Sequence, residues 1–431
     1  MKVHLRTFGC RANQYDSEQV RALCERAGAE VVSDVGAADV AVLNSCAVTS
    51  DAEADLRQAV RRIARERPGV RVIVTGCSAA RSAPSIVALP SVSDVIAGAD
   101  LHSVAVALGF PSAAVPGAAH RQQGARATLR VQDGCEEHCT FCATTLARGA
   151  HRSRTAESLV EEASTLAEHH EEIVLTGVHV GSWGSEFGRT LGSLVGRLVH
   201  EVPRVRFRLA SVEATEVDAE LAELLRDGGD GGGRICPYLH APLQSGSDAV
   251  LRRMGRHWYT ASSYSRAITQ LTGGRSVFGL GADVMSGFPG ETDSDHAETV
   301  AIVRDLPFTH LHVFSYSPRA GTAAARLGAP VPPALARARA AELRAFGTDK
   351  GAMYVATRVG GRADVVVITG APAREGLTED YLPVSLEDPT IPRGSRVDVR
   401  LSMSDAGMLL ARKFAEREDR TSLLPPHLSH P

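Results

Sequence analysis

The sequence predicts an α/β protein built from an N-terminal parallel α/β domain, a central partial β/α barrel and a small C-terminal all-β barrel. Two observations predict the α/β regions: short apolar runs alternate with helical stretches over residues 1–112, and the alternation resumes over residues 121–350. A third observation predicts the small barrel, because residues 351–415 hold short β-branched runs separated by Gly and Pro turns. Residues 416–431, with two adjacent prolines and mixed charge, are predicted to be a disordered tail.

The composition excludes several classes of protein. The 431 residues carry 47 Lys and Arg against 50 Asp and Glu, a net charge of −3, which argues against a uniformly basic nucleic-acid binder but leaves local basic faces open. No apolar run approaches the roughly 18 residues that suggest a membrane span, and the N-terminal segment lacks the pattern of a secretion signal. We therefore expect a cytoplasmic protein without membrane contact, in which cysteines more often bind metal or do chemistry than form disulfides.

In the N-terminal domain, a cysteine follows each of three predicted strands, at residues 3–8, 40–44 and 70–76. These cysteines are Cys10, Cys46 and Cys77. Parallel strands end at one edge of their sheet, where ligands bind, so we expect the three thiols to share one metal site. Three separate buried thiols are the alternative. Cys24 and Cys236 have no partner at ligand spacing and are predicted to be buried structural thiols.

After a Pro- and Ala-rich linker, the central region alternates helices with six predicted strands, at residues 127–133, 172–178, 205–213, 238–244, 277–285 and 310–317. Active sites of β/α barrels lie at the C-terminal ends of their strands. The first strand leads directly into the pattern C-x3-C-x2-C, formed by Cys135, Cys139 and Cys142. Three thiolates on a tight loop suit three irons of a 4Fe–4S cluster. Zinc is the alternative, because His138 inside the motif would supply the fourth ligand of a structural zinc site.

These cysteine segments resemble a known family. The C-x3-C-x2-C loop resembles the signature of the radical S-adenosylmethionine (radical SAM) enzymes, in which the aromatic before the last cysteine, here Phe141, packs near the adenine of the cofactor. The segments TFGCRANQYDSE, VLNSCAVTSDAE and VTGCSA resemble the N-terminal domain of the methylthiotransferases. GLTEDYLPV (376–384) is similar to part of the TRAM domain, an RNA-binding β-barrel. The resemblance covers nearly the whole chain.

Within that family, Asn13-Gln14-Tyr15 and HVFSYSPRAGT (312–322) are most similar to the branch that acts on N6-threonylcarbamoyladenosine at position 37, in the anticodon loop of tRNA. Methylthiolation of isopentenyladenosine-37 or of a ribosomal protein is the alternative within the family. A non-catalytic RNA-binding metalloprotein is the alternative from another class.

The resemblance implies two 4Fe–4S clusters with different tasks. The cluster on Cys135, Cys139 and Cys142 would bind S-adenosylmethionine, whose one-electron reduction gives a 5′-deoxyadenosyl radical that takes a hydrogen from C2 of the adenine. The cluster on the three N-terminal cysteines would hold the sulfur that is inserted and methylated. The implied partners are tRNA, a low-potential electron donor such as flavodoxin or ferredoxin, and a sulfur donor.

Further residues are assigned to the cofactor by their position at or just past the ends of the barrel strands. They are Thr176, Gly177, Glu213, Gln244, Ser245, Gly287 and Gly290. For the last two glycines, a plain tight turn is the alternative.

Two groups of arginines are candidates for contacts with RNA phosphates. Arg57, Arg61, Arg62 and Arg65 share one face of a predicted helix, and Arg148, Arg152 and Arg154 lie in a loop near the C-x3-C-x2-C motif. Such faces make affinity for nucleic acid fall with salt. A solvated helix face is the alternative for the first group.

Overall fold

The structure of the chain, a computed structural model, describes residues 1–47, 50–111, 121–227 and 233–414. Within these ranges it confirms the predicted fold class: parallel α/β layers followed by a closed β-barrel. Most of the predicted linker and the tail predicted at residues 416–431 lie outside the described residues.

The N-terminal part is a five-stranded parallel sheet of order β2-β1-β3-β4-β5 with helices on both faces. Its elements are β1 (Lys2–Thr7), α1 (Arg11–Arg26), β2 (Glu30–Val32), β3 (Val40–Ser45), α2 (Ser50–Glu66), β4 (Arg71–Gly76), α3 (Cys77–Val87), β5 (Val92–Val95) and α4 (Leu101–Leu108). Along β3, Val40 and Val42 pack with α1 and α4, whereas Ala41 and Leu43 pack with α2 and α3. This burial on both faces explains why the sequence of β3 is a continuous apolar run.

The central part is an open barrel. Its elements are β6 (Ala127–Arg130), β7 (Gln132–Asp133), α5 (Thr144–Arg148), β8 (Arg152–Ser153), α6 (Ala156–Ala167), β9 (Glu172–Thr176), α7 (Leu191–Glu201), β10 (Arg206–Leu209), α8 (Ala219–Asp227), β11 (Tyr238–His240), α9 (Asp248–Arg253), α10 (Ala261–Thr272), β12 (Gly279–Ser286), α11 (Asp293–Asp305), β13 (His310–Ser315) and α12 (Pro333–Arg358). Strands β6, β9 and β10 form one parallel ladder, and β11, β12 and β13 form another. Two isolated parallel bridges, Phe207–Ile235 and Ser211–His240, join the halves.

Two barrel strands end four residues earlier than predicted. Strand β10 ends at Leu209 rather than at residue 213, and β11 ends at His240 rather than at residue 244. The residues past each end leave the ladder: Glu213 begins a 3-10 turn, and Gln244 has a φ of +61°. An apolar run therefore overstates strand length where the chain turns towards a site, because buried loop residues are as apolar as strand residues.

The C-terminal part is a closed barrel of order β14-β15-β16-β18-β17. Its strands are β14 (Arg362–Val367), β15 (Glu375–Thr378), β16 (Pro383–Leu386), β17 (Arg396–Met403) and β18 (Leu409–Lys413). Inward-facing Val, Leu and Ala side chains fill its core. The 26-residue helix α12 leads directly into β14 and packs on β13, so it connects the two barrels.

Two buried arginines also join the barrels. Arg206 and Arg208, on β10, both pair with Glu172 on β9. Arg206 donates 2.9 Å to the carbonyl oxygen of Asp364, and Arg208 donates 2.9 Å to that of Thr378, both in the C-terminal barrel. The two guanidinium groups hold the pKa of Glu172 well below its ordinary value despite complete burial. The buried ion pairs thus couple the central sheet to the small barrel.

Candidate active site

One cavity of about 320 Å³ is lined by all six cysteines that the sequence assigns to metal binding. Three of them come from the N-terminal sheet and three from the loop after the first barrel strands: Cys10, Cys46, Cys77, Cys135, Cys139 and Cys142. Cys24 and Cys236 are fully buried in the cores and do not line it. The cavity therefore separates the six candidate ligands from the two predicted structural thiols.

The N-terminal triad lies at the shared edge of the parallel sheet. Cys10 follows β1, Cys46 follows β3, and Cys77 is the first residue of α3 directly after β4. Gly9 has a φ of +90°, and a Cβ there would collide with the Cβ and Sγ of Cys46. The absent side chain lets the β1 and β3 ends approach each other at this edge.

Asn13 holds the triad together. Its Nδ2 donates to the carbonyl oxygens of Phe8 and Ser45, both at 2.9 Å, and these residues precede two of the cysteines. Its Oδ1 lies 3.9 Å from the Sγ atoms of both Cys10 and Cys77. The amide is buried, so its hydrogen bonds fix the spacing of the loops that carry the thiols.

The second triad is carried by the loop between β7 and α5. Gly134, which precedes Cys135, has a φ of +70°, and a Cβ there would collide with the carbonyl oxygen of Ala150. Arg256 donates to the Sγ of Cys139 at 3.7 Å, and His179 Nδ1 lies 3.8 Å from the Sγ of Cys135. Arg256 and His179 were not predicted from the sequence, because neither belongs to a recognisable ligand spacing.

Buried thiols in both triads are poor acids in the protein alone. Burial raises the pKa of Cys77 to about 11 and that of Cys139 to about 12. The thiolate is the form that binds metal, so metal binding at either triad must release protons. Across the described ranges, no three His, Cys, Asp or Glu side chains are arranged to hold a single metal ion. Three thiols around a shared space are the kind of donor set that holds three irons of an iron–sulfur cluster.

Four of the predicted cofactor residues line this cavity: Phe141, Gly177, Glu213 and Gln244. The Oε2 of Glu213 and the Oε1 of Gln244 are buried without a protein hydrogen-bond partner. The other carboxylate oxygen of Glu213 is paired with Arg256. Buried polar atoms are normally hydrogen-bonded, so these two acceptors fit a ligand with a protonated amine. These two acceptor groups, the cysteine thiols and the enclosed space are compatible with S-adenosylmethionine bound at an iron–sulfur cluster.

The other predicted cofactor residues lie elsewhere. Thr176 is next to the cavity and lines an adjoining one. The hydroxyl of Ser245 is 3.3 Å from that of Thr299, so it is committed to packing on α11. Gly287, with a φ of +73°, lies where a Cβ would collide with Ala336 on α12, and Gly290 adopts a φ of +78° in the same turn. The two positive φ values fit the tight turn that is the alternative for these glycines, and neither glycine is among the residues that line the cysteine cavity, so their adenine contacts stay a prediction.

The predicted RNA-binding arginines divide by exposure. Arg61, Arg62 and Arg65 are exposed on α2, and Arg57 is half-buried on the same helix. Arg152 is also exposed, with 63% of its side-chain surface accessible. Arg154 donates 2.6 Å to Glu162, which reduces its availability for phosphate.

Arg148 does not reach the surface. Its side chain is 6% exposed, and its guanidinium donates to Asp16 at 2.7 Å, to Asn13 Oδ1 at 2.7 Å and to Asp133 at 3.1 Å. The predicted RNA contact of Arg148 is therefore corrected: two carboxylates neutralise it inside the protein. It instead ties the second triad's loop to the helix that follows Cys10.

Comparison with known families defines the class of the protein. Residues 2–98 match the family described as Uncharacterized protein family UPF0004, and residues 129–303 match the Radical SAM superfamily. Two structures of the radical SAM methyltransferase TsrM from Kitasatospora setae share the fold, with TM-scores of 0.55 and 0.54 at 16% identity. They cover 72% and 73% of this chain, and 72% and 74% of their own. The chain is a radical SAM enzyme, a class that uses S-adenosylmethionine and an iron–sulfur cluster.

Relatives of known function define the family within this class more narrowly. Threonylcarbamoyladenosine tRNA methylthiotransferase MtaB of Thermotoga maritima is 35% identical, over 77% of this chain and 78% of the relative. The MtaB proteins of Bacillus subtilis (35% identical, 75% of each chain) and Aquifex aeolicus (31%, 90% of this chain and 97% of the relative) match similarly. The chain therefore belongs to the threonylcarbamoyladenosine tRNA methylthiotransferase family. Membership excludes the alternative of a non-catalytic metalloprotein. Among the described residues, no helix is both long and apolar enough to cross a membrane.

Proposed function

We propose that this chain inserts a methylthio group at C2 of N6-threonylcarbamoyladenosine at position 37 of tRNA. The observation that carries the proposal is the single cavity lined by two cysteine triads. Methylthiolation needs a radical source and a sulfur source within reach of one carbon atom, and two separate sites would not meet that need. The substrate is the one named for the relatives in Thermotoga maritima and Bacillus subtilis.

One 4Fe–4S cluster is assigned to each triad. Three thiolates ligate three irons and leave the fourth free for an external ligand. The triad of Cys135, Cys139 and Cys142 would bind the S-adenosylmethionine-cleaving cluster, and the triad of Cys10, Cys46 and Cys77 the sulfur-donating one. When bound, these groups would supply the electron that cleaves the C–S bond of S-adenosylmethionine and the sulfur that replaces a hydrogen on an unactivated carbon, chemistry that acid and base side chains cannot supply.

The chain's own residues bind and orient the cofactor. Glu213 and Gln244 have buried acceptors free for the methionine amine, and Phe141 packs edge-to-face on Phe288 at a ring-centroid distance of 6.4 Å. Packing in this way fixes the face that Phe141 offers to an adenine ring. Arg256 balances the charge of Glu213 and of the Cys139 thiolate.

The remaining partners follow from the chemistry. An external low-potential electron donor, such as flavodoxin or ferredoxin, would reduce the cleaving cluster, and a sulfur donor would reload the other. The exposed arginines of α2 and Arg152 are the proposed phosphate contacts. A cytoplasmic location fits both the tRNA substrate and clusters that need a reducing environment.

Anaerobic reconstitution tests the two-cluster assignment. We expect about eight irons per chain, from two four-iron clusters, and reductive cleavage of S-adenosylmethionine that disappears in Cys139→Ala. In Cys46→Ala, iron should fall by half and the methylthio product should be lost. Cys24→Ala is the matched control, because Cys24 lies in the N-terminal core away from the cavity, and it should keep full iron. A wild-type protein that binds only four irons would contradict the assignment.

A further inference from the structure

A second cavity adjoins the cysteine cavity and extends to the C-terminal barrel. It has a volume of about 370 Å³ and shares six lining residues with the first: Cys10, Ala12, Gly177, Val178, Ser211 and Asp283. At its other end it reaches Tyr381, between β15 and β16. All three parts of the chain therefore contribute to one continuous space that begins at the proposed reaction site.

Arg11 is the cationic group of this second cavity. Its Nη2 donates to the hydroxyl of Tyr381 at 3.0 Å, while its Nη1 is buried with no hydrogen-bond partner. Arg11 is also the first residue of α1, and the side chain of Cys10 does not cap that helix. The amide groups at an uncapped helix N-terminus and an unsatisfied guanidinium nitrogen both favour an anion.

The other charged and titratable groups of the cavity do not neutralise Arg11. Asp283 lies 3.2 Å from His240 Nε2 and 2.8 Å from His312 Nδ1, so its two oxygens are engaged by histidines. His310 also lines the cavity. Arg126 and Arg208, further back, are both paired with Glu172, at 3.3 Å and 2.8 Å. The carboxylates nearest to Arg11 are thus already engaged by other groups, and the Nη1 of Arg11 is left for a ligand.

We infer that Arg11 binds the carboxylate of the threonylcarbamoyl group on the substrate adenosine, with the second cavity enclosing that group. This inference rests on the proposed function. C2 and the N6 nitrogen are separated by only two atoms of the purine ring, so the N6 substituent must lie in a space next to the one that holds C2. A threonylcarbamoyl group carries a carboxylate and a hydroxyl, which suit a guanidinium and histidines. An isopentenyl group is apolar and would leave the buried Nη1 of Arg11 without a hydrogen-bond partner.

The test compares two anticodon stem-loop RNAs: one carries N6-threonylcarbamoyladenosine, and the other has its carboxylate converted to a primary amide. Reconstituted wild-type protein, Arg11→Gln, Arg11→Lys and Arg26→Gln are each titrated with both RNAs by fluorescence anisotropy. Arg26 is the matched control, since it is an exposed arginine in the last turn of the same helix. Iron content and the thermal unfolding temperature show whether each variant is folded and loaded.

We expect the wild type and Arg26→Gln to bind the carboxylate RNA roughly 10- to 100-fold more tightly than the amide RNA, the usual range for a charge-assisted hydrogen bond. Arg11→Gln should bind both RNAs equally, and Arg11→Lys should restore part of the preference. A folded Arg11→Gln protein that keeps the preference would overturn the inference, as would a wild type without one. Activity of the wild type on the carboxylate RNA separates failure of this inference from failure of the proposed function. A wild type that methylthiolates isopentenyladenosine and is inactive on the carboxylate RNA would contradict both.

Discussion

At Gly9, a missing side chain sets the spacing of two cysteines. Its φ of +90° is a conformation that residues with a Cβ rarely adopt, and Cys46 occupies the place that a Cβ would take. Gly28 has a comparable φ of +71° at the end of α1, but nothing lies within 4 Å of the position of its Cβ. The two glycines thus share a backbone conformation and differ in what surrounds them.

Gly9→Ala is therefore expected to displace Cys46 and to lower iron at the N-terminal triad, from about eight irons per chain towards four. Gly28→Ala should cost only the backbone strain of about 1–2 kcal/mol and keep its iron. Iron analysis after anaerobic reconstitution and thermal unfolding measure the two effects. Equal iron content in both variants would show that Gly9 has no role in spacing the thiols.

At this scale the sequence predicted cysteines better than their neighbours. A cysteine directly after a parallel strand can be located because strand ends share a sheet edge, and all six candidates line one cavity. Ser245, Gly287 and Arg148 occupy positions near strand ends or loops that looked equivalent. The surroundings of all three residues depend on packing partners distant in the sequence, such as Asp16, 132 residues before Arg148. The sequence around a residue does not indicate which distant residue will pack against it.

Among the elements, α1 and the loop leading to α5 matter most, because they bring the two triads together. Arg148 at the end of α5 pairs with Asp16 on α1 and with Asp133 on β7. Removing one member of a buried ion pair leaves its partners charged without compensation, which commonly lowers the free energy of unfolding by about 3–5 kcal/mol. This contact between α5 and α1 could not be predicted, because in the sequence a basic loop next to a site resembles a phosphate-binding loop.

Arg148→Gln should accordingly lower the free energy of unfolding by about 3 kcal/mol, whereas Arg152→Gln, at an exposed position, should change it by less than about 1 kcal/mol. In RNA titrations the order reverses, and only Arg152→Gln should weaken binding and reduce its salt dependence. Denaturant unfolding and salt-dependent anisotropy check both halves. If Arg148→Gln leaves stability unchanged and weakens RNA binding, Arg148 is a phosphate contact after all.

For the molecule as a whole, the C-terminal barrel is held by charge as well as by chain connectivity. Arg206 and Arg208, on β10, each pair with Glu172 on β9 and also donate a hydrogen bond to a carbonyl oxygen of the small barrel. The order of the three parts was predictable from their periodicities, but this docking was not. The sequence of β10 contains two arginines in an apolar run, and nothing in that run indicates that Glu172 on β9 and groups of the C-terminal barrel would bind them.

Glu172→Gln tests the docking. The substitution leaves Arg206, Arg208 and Arg126 around one uncharged amide, so we expect a loss of about 3–5 kcal/mol and easier proteolysis between the barrels. Glu157→Gln, which removes an exposed carboxylate paired with Arg197, is the control and should behave as the wild type. Limited proteolysis and thermal unfolding measure the difference. An unchanged cleavage pattern in Glu172→Gln would mean that α12 and chain connectivity suffice.

The proposed methylthiolation of threonylcarbamoyladenosine requires both cysteine triads around the one cavity. It can be measured by mass spectrometry of nucleosides from tRNA incubated anaerobically with the reconstituted enzyme, S-adenosylmethionine, a reductant and sulfide. N6-threonylcarbamoyladenosine should gain one methylthio group with the wild type and with Cys24→Ala, and should remain unmodified with Cys139→Ala or Cys46→Ala. Unmodified threonylcarbamoyladenosine together with methylthiolated isopentenyladenosine in the wild-type reaction would contradict it.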